Sequence, residues 1–569
     1  MRALAAWFGV VVLAGCAGDK GGPGGGDGAD DTGAAWRPDV LCPGDASCPT
    51  NDGPLQAGVA RRDITPTCFE RWDDVDGNGT WARSTEAWFD CGCDQLCPGD
   101  AGYTAADAGE GDGVFQAVWI AGFGQSRPAN GVHDPIDARV VVVSSGETSV
   151  ALVSLDVVGW FYDDALRIRE AVAAAGAPVD HVVVHASHNH EGPDSMGQWG
   201  AALGQRGVDD AWQADVVAAV ADAVAEAAAN QVPVTARAGS IDTAAPYLPG
   251  KGSRNTVRDS RDPVVIDELL SVLHLADEGG ATVATLINWG NHPEVLGGQN
   301  TLLTSDFVHY LRRGVEEGVG GAGGRPGVGG MALFLNASVG GLMTPLSITV
   351  TGLDGVDHSE ESFEKAQALG EVMADLALQA VGASAPLDAP RVEARAARFF
   401  IPVENFAFQA LFLIGVFDRE IYNYDPDRSI DATNTPDLLS EVGLVSVGGV
   451  RMLTIPGELA PELAIGGYDG SKVHSDEVPF LDPGNDHPPA VANAPAPPYL
   501  KDQMGGSANW IIGLGNDEIG YLIPPYDYVL DETTPYLVEA PGDHYEETNS
   551  VGPSAVPRIL EVTERLLAY

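Results

Sequence analysis

His181-Val182-Val183-Val184-His185-Ala186-Ser187-His188-Asn189-His190-Glu191-Gly192-Pro193 carries a β-branched run into a polar turn. Valines in series favour an extended chain, and Gly-Pro punctuates its end. Residues two apart on an extended chain project to the same side. His188 and His190 are therefore expected to face one point, where a metal ion can see both imidazoles.

The same pattern recurs downstream. Leu286-Ile287-Asn288-Trp289-Gly290-Asn291-His292-Pro293-Glu294 is an apolar strand that stops at a histidine, and Val450–Ile455 leads through Pro456-Gly457 to Glu458. Asn516-Asp517-Glu518-Ile519-Gly520-Tyr521 delivers a tyrosine. Active sites of α/β folds lie at strand ends, so these four places are where ligands are expected to converge. Between them strands and helices alternate, which predicts an α/β or mixed α+β body. Strands are expected at 138–144, 149–157, 181–187, 282–289, 331–336 and 450–455. Helices are expected at 163–175, 209–230, 306–317, 359–381 and 556–568, several opening on Asp or Ser as N-cap. No linker is apparent from 120 to 569, so one large catalytic domain of mixed sheets flanked by helices is expected over 55–569, with a Cys-rich acidic insertion at 67–118.

The chain has 569 residues, with 31 Lys+Arg against 81 Asp+Glu, a formal net charge of -50. Such a field repels phosphate backbones and excludes nucleic acid as a partner class. Residues 1–15 read as an export signal, with an apolar run too short to span a bilayer. Leu13-Ala14-Gly15-Cys16 resembles the bacterial lipobox. It implies cleavage before Cys16, acylation of that residue, and a lipoprotein of the cell envelope, at the outer membrane rather than the inner. Residues 16–54 then hold a Gly-rich tether and the start of the Cys-bearing segment. The other six cysteines, Cys42, Cys48, Cys68, Cys91, Cys93 and Cys97, are an even number in an exported chain. Three disulfides are expected, with pairing open and a zinc knuckle as the competing arrangement. None lies beyond Cys97, so a metal in the main body falls to His, carboxylate or Tyr.

Within the insertion, Asp74, Asp76 and Asn78 with Gly79 match the first half of a calcium loop, but Thr85 stands where the bidentate Glu belongs and Glu86 comes one place late. Calcium ligation and a solvated acidic turn are both open. Leu335-Asn336-Ala337-Ser338-Val339-Gly340-Gly341 is a poor match to a nucleophile elbow, with Asn336 in place of the first glycine. Phe399-Phe400 and Phe406–Ile414 form the most aromatic stretch, suited either to core or to the lining of an acyl-chain groove.

Taken in order, Asp63-Ile64-Thr65-Pro66, His188-Asn189-His190-Glu191-Gly192-Pro193, Asn288-Trp289 to His292-Pro293, Pro456-Gly457-Glu458 and Gly520-Tyr521 resemble the neutral, non-lysosomal ceramidases, a family of zinc amidases. The resemblance implies that His188, His292, Glu458 and Tyr521 hold zinc and that His190 beside them is catalytic. It also implies that a metal-activated water cleaves the amide bond of N-acyl lipids. Where the family reads Asn-Arg-Ser-Pro, this chain has Gly252-Ser253-Arg254-Asn255-Thr256-Val257-Arg258-Asp259. A metal-dependent amidase or esterase on a non-ceramide substrate is thus the alternative. A non-catalytic surface lipoprotein that binds calcium or sugar is the alternative of another class.

Overall fold

In a computed structural model the described residues are 36–320, 324–473, 478–542 and 544–569. The strand His181–Ala186 lies at one edge of a large mixed sheet. Moving inward from that edge, the order is Thr148–Leu155, Asp137–Ser145, Gln56–Asp63, Val232–Asp242, Leu269–Asp277, Thr282–Trp289 and Met331–Asn336. His181–Ala186 runs parallel to Thr148–Leu155, and Thr282–Trp289 parallel to Met331–Asn336; the pairings between are antiparallel. A second sheet orders Val40–Cys42, Val392–Pro402, Asp437–Val447, Val450–Thr454 and Ala508–Ile512.

Both faces of the large sheet are buried, and the period-two alternation of its strands sorts side chains between two cores. Val140, Val142, Val153, Val182 and Val184 pack against Ile168, Val216, Leu311 and Leu369 of the covering helices. Val141, Val143, Leu152 and Val183 point the other way, into Val445, Val447, Met452 and Trp510 of the second sheet. Helix Ala555–Ala568 covers the outer face of that sheet. The layers are therefore helix, sheet, sheet, helix, and no sheet closes into a barrel.

The expected strands and helices appear with ends moved by a few residues at most. Two expected caps hold, Asp209 accepting from Ala211 and Trp212 N–H and Asp306 from Phe307 N–H; the helix expected from Asp163 begins at Tyr162 after Phe161, which makes no side-chain cap bond. The helix expected from 359 begins instead at Phe363, where Ser362 caps Lys365 N–H. One further point corrects the sequence reading. Val40–Cys42 pairs with Val392–Pro402, so ordered structure begins upstream of Leu55. The run Phe406–Leu413 is a helix that buries Phe408 and Phe412 while leaving Phe406 and Leu413 exposed. The six cysteines form Cys42–Cys48, Cys68–Cys93 and Cys91–Cys97, which leaves no thiolate for a zinc knuckle. Residues 1–15 and Cys16 lie outside the described residues. Among those described, no helix is long and apolar enough to cross a membrane. Pro38–Tyr569 forms one unit by its internal contacts.

Two histidines of the edge strand make the fold sensitive to acid. His185 is fully buried; its Nε2 accepts from Asn336 N–H at 2.9 Å, while its Nδ1 lies 3.1 Å from Ser154 Oγ, which itself donates to Phe334 O. That arrangement requires a neutral ring. Burial pushes His185 down to about 3. Burial and then Arg169 push His181 down to about 4. Both values lie below the unfolded value near 6.5, so the unfolded chain takes up these protons first. Their stabilisation is complete above pH 6.5 and is lost as pH falls toward 4 and 3. Buried carboxyls such as Glu191 and Asp306, raised to about 8 and about 7 by burial, act in the opposite sense, so the histidine contribution is read by difference: the gap in urea midpoint between wild type and His185→Gln should narrow from pH 7 to 4.

Candidate metal centre

The large sheet delivers two histidines past its strand ends, though not by the extended geometry expected from sequence. The strand stops at Ala186, and His188 adopts φ 68°, a left-handed conformation that non-glycine residues rarely take and that marks a constrained site. Asn189 locks the turn. Its side-chain amide donates to Asp156 O at 3.1 Å and to Thr304 O at 2.8 Å, and its N–H to Val157 O at 3.1 Å. The turn, not strand pleat, brings the rings of His188 and His190 to 4.8 Å between centroids. His292 follows the end of Thr282–Trp289, with its ring 4.5 Å from that of His188.

The tautomers follow from the partners. His188 Nδ1 donates to Val158 O and His292 Nδ1 to Met343 O, each at 2.6 Å. Each Nε2 is thereby left with its lone pair. Glu458 reaches between them: its Oε2 is 3.2 Å from His188 Nε2 and 3.1 Å from His292 Nε2. The His188 contact lies off the hydrogen-bond direction, and that nitrogen has no other partner. Burial alone would raise the Glu458 carboxyl, but protons on the facing His188 and His292 rings, standing where a cation would, outweigh it and hold it down at about 2. Glu458 lies in register with Tyr521 across a short parallel pairing, and both line one cavity. Burial, then the Glu458 carboxylate, pushes the Tyr521 hydroxyl well above its ordinary value.

This donor set fits a metal. Two imidazole nitrogens and a carboxylate oxygen converge as acceptors that need a cation or shared proton between them, and backbone carbonyls fix both rings as in metal-ligating histidines. Ligands on tetrahedral zinc with bonds of roughly 2.0–2.1 Å sit about 3.3 Å apart, close to the separations found here.

His190 stands beside this group. One nitrogen from each of His188, His190 and His292 lies within 4.8 Å of the others. Its Nδ1 is turned toward Glu294 Oε2 at 3.3 Å, and neither ring nitrogen has a hydrogen-bond partner. Burial, then the neighbouring His188 and His292, lowers its proton affinity well below the ordinary value. Gly122 at φ 104° lies against this ring, and a Cβ there would come 2.4 Å from His190 Cβ. Phe123 meets the ring edge-on. The cavity, about 80 Å³, runs from His188, His190, Glu458 and Tyr521 to an apolar wall that includes Phe161, Phe408, Phe412, Phe417 and Leu438.

Glu294, which also accepts from Thr344, and Glu518, which lines the cavity, are site residues that carry no motif in the sequence. A carboxylate two residues beyond His292 is the one local signal for the first. Ser338 Oγ is buried without a hydrogen-bond partner, so no imidazole activates it as a nucleophile. In the insertion, oxygens of Asp74, Asp76 and Glu86 come within 4.8 Å of one another. They receive loop N–H groups: Asp74 from Asn78 and Gly79, Asp76 from Asn78, and Glu86 from Val75 and Ala82. The Asn78 side chain bonds Asp76 and Thr80.

No family model matches the chain, and no curated protein matches it. Among solved structures, neutral ceramidase from Pseudomonas aeruginosa is similar over 91% of this chain and 74% of that chain, at 13% identity and a TM-score of 0.54. A ceramidase complexed with C2 is similar over 91% of this chain and 75% of that chain, at 14% identity and a TM-score of 0.56. The chain therefore has a ceramidase-like fold.

Proposed function

We propose that this chain is a zinc-dependent hydrolase that cleaves the amide bond of N-acyl lipids. The observation that carries the reading is Glu458 Oε2 lying 3.2 Å from His188 Nε2 and 3.1 Å from His292 Nε2, on a fold shared with neutral ceramidase. His188, His292, Glu458 and Tyr521 would hold the ion. When bound, zinc polarises an acyl carbonyl and lowers the pKa of water to about 7.

The side chains around the centre divide the remaining work. His190 Nε2, free while Nδ1 faces Glu294, takes a proton from the attacking water and, its proton affinity kept low by burial, passes it to the leaving nitrogen. Glu294 faces that ring at 3.3 Å, near enough to steady it once Nδ1 bears a proton, and Thr344 donates to Glu294. The Phe161, Phe408, Phe412 and Phe417 wall receives the acyl chain and excludes water. Glu294→Gln is expected to lower kcat about 10- to 100-fold, the usual cost of losing an orienting partner, with KM and zinc content nearly unchanged. Steady-state kinetics beside elemental analysis check it.

The remaining sequence expectations complete the proposal. Residues 1–15 direct export, and acylated Cys16 with the Gly-rich tether that follows holds the catalytic unit, which the Val40–Cys42 strand extends to Pro38–Tyr569, at the cell envelope, at the outer membrane. Calcium bound at Asp74, Asp76 and Asn78, with Glu86, belongs to the same reading as a structural ion for the 67–118 insertion. Hydrolysis of a fluorescent N-acyl sphingosine by the zinc-loaded protein tests the central claim. Turnover confined to short amides or esters favours the non-ceramide alternative, for which the Gly252–Asp259 segment speaks. Calcium binding without zinc or turnover favours the non-catalytic one.

A further inference from the structure

The helix Phe406–Leu413 reads Phe-Ala-Phe-Gln-Ala-Leu-Phe-Leu and runs on into Ile414. Its one polar side chain, Gln409, turns back to donate to Val403 O at 2.7 Å. Phe408 and Phe412 line the cavity, but Leu413 and Ile414 are 57% and 62% exposed. A helix without a polar face belongs inside a protein or in lipid, and one side of this helix is bare. The bare side continues into its neighbours. Leu203 is 66% exposed, and a Cβ built on the adjoining Gly204 would come 3.6 Å from Ile414 Cδ1. The Phe406 ring lies 6.0 Å from that of Tyr536, and Leu537 and Val538, next along the chain, are exposed. Tyr545, also exposed, lines the cavity itself. The patch thus borders the cavity that holds His190 and Glu458.

The route of the chain into the body identifies the partner. Val40–Cys42 pairs antiparallel with Val392–Pro402, Val40 opposite Ala396, and Asp39 accepts from Arg398 N–H at 2.7 Å and from its guanidinium at 2.8 Å. The chain before Asp39 therefore meets the sheet from the side of Pro402, the end from which Val392–Pro402 leads through Asn405 into the apolar helix. An acyl group on Cys16, tied to that end, brings the bare helix to the membrane that holds it. We propose that the apolar patch around Leu413 and Ile414 is a docking surface for a lipid bilayer, laying the Tyr545 edge of the cavity against the surface from which an N-acyl lipid is drawn. Binding of this kind scales with the apolar area buried at the interface. The net charge of -50 repels anionic headgroups, so the surface it fits is zwitterionic. The docking surface goes beyond the amidase reading and rests on it only for the anchor at Cys16.

The test is hydrogen exchange on the full chain, alone and with vesicles of phosphatidylcholine or of phosphatidylglycerol. Protection is the ratio of rates without and with vesicles at residues 406–414, a local readout that an anchor elsewhere in the chain cannot supply. Phosphatidylcholine should give protection of about tenfold to a hundredfold, the range for burying two exposed aliphatic side chains, and phosphatidylglycerol less. Leu413→Glu combined with Ile414→Glu should remove it, with circular dichroism and the urea midpoint showing the fold intact. Leu203→Glu, outside the helix, should weaken it too and decides the matter if the double variant misfolds. Val356→Glu places the same charge at an exposed apolar residue between Val350–Thr351 and Asp357–His358, a separate hairpin, and should leave protection as in wild type. No protection at 406–414 in chain that sediments with the vesicles, or equal protection in wild type and the patch variants, would overturn the inference. Exchange that slows with protein concentration in the absence of vesicles would give the patch to a second copy of the chain. Exchange already slow without vesicles at every dilution, and hastened in the double variant, would give it to a segment of the chain's own; either result overturns the lipid assignment. Stronger protection by phosphatidylglycerol would overturn the zwitterionic one. Turnover does not enter the readout, so failure to hydrolyse any amide would overturn the amidase reading and leave the docking surface standing.

Discussion

Replacing Glu458 by alanine is expected to abolish zinc binding and hydrolysis together. Its Oε2 lies between His188 Nε2 and His292 Nε2 at 3.2 and 3.1 Å, and without it two neutral imidazoles face each other with no negative charge to hold a divalent cation. Zinc should fall from stoichiometric to background, and kcat/KM by roughly 10³-fold or more, since the chemistry proposed depends on the ion. His188→Ala should behave alike. Ser338→Ala should be nearly silent, because that hydroxyl touches no imidazole and lies outside the cavity lining. Elemental analysis, circular dichroism and kinetics on the same samples check all three. Retention of stoichiometric zinc by the Glu458 variant would place the ion elsewhere.

The second large effect concerns stability. Arg312 grips Asp156 with two bonds of 2.7 Å, and the two side chains are 1% and 0% exposed. Asp156 also accepts from Asp137 N–H and Ser305 Oγ, and Arg312 outweighs burial to keep its carboxyl below the ordinary range. Arg312→Met leaves that charge buried without its partner, which costs about 3–5 kcal/mol. The urea midpoint should drop accordingly. Pairing it with Asp156→Asn should recover much of the loss, since the uncompensated charge is then gone. The effect reaches the metal centre, because Asp156 O receives the Asn189 amide that locks the His188 turn.

Legibility differed between strands and site. Runs such as Val182-Val183-Val184 announce themselves because a strand buried on both faces has no polar face to blur it. Val392–Pro402 was harder to read: Glu393-Ala394-Arg395-Ala396-Ala397-Arg398 favours a helix by propensity, and pairing with Asp437–Val447 overrides that preference. The turns that carry His188, His190, His292 and Glu458 mark them in the sequence, and the fold brings these four together with Tyr521 on the wall of the same cavity. The backbone reversal at His188 was not legible, because a left-handed φ at histidine depends on the tertiary bonds of Asn189. Glu294 gains its meaning from a neighbour distant in sequence, His190, which no local pattern encodes.

The donor atoms come from opposite halves of the molecule. His188 and His292 follow strands of the larger sheet, whereas Glu458 and Tyr521 follow strands of the smaller one. Neither half owns a complete set, so the proposed ion site is assembled only once the two sheets have docked. An ion held there would report that folding has finished.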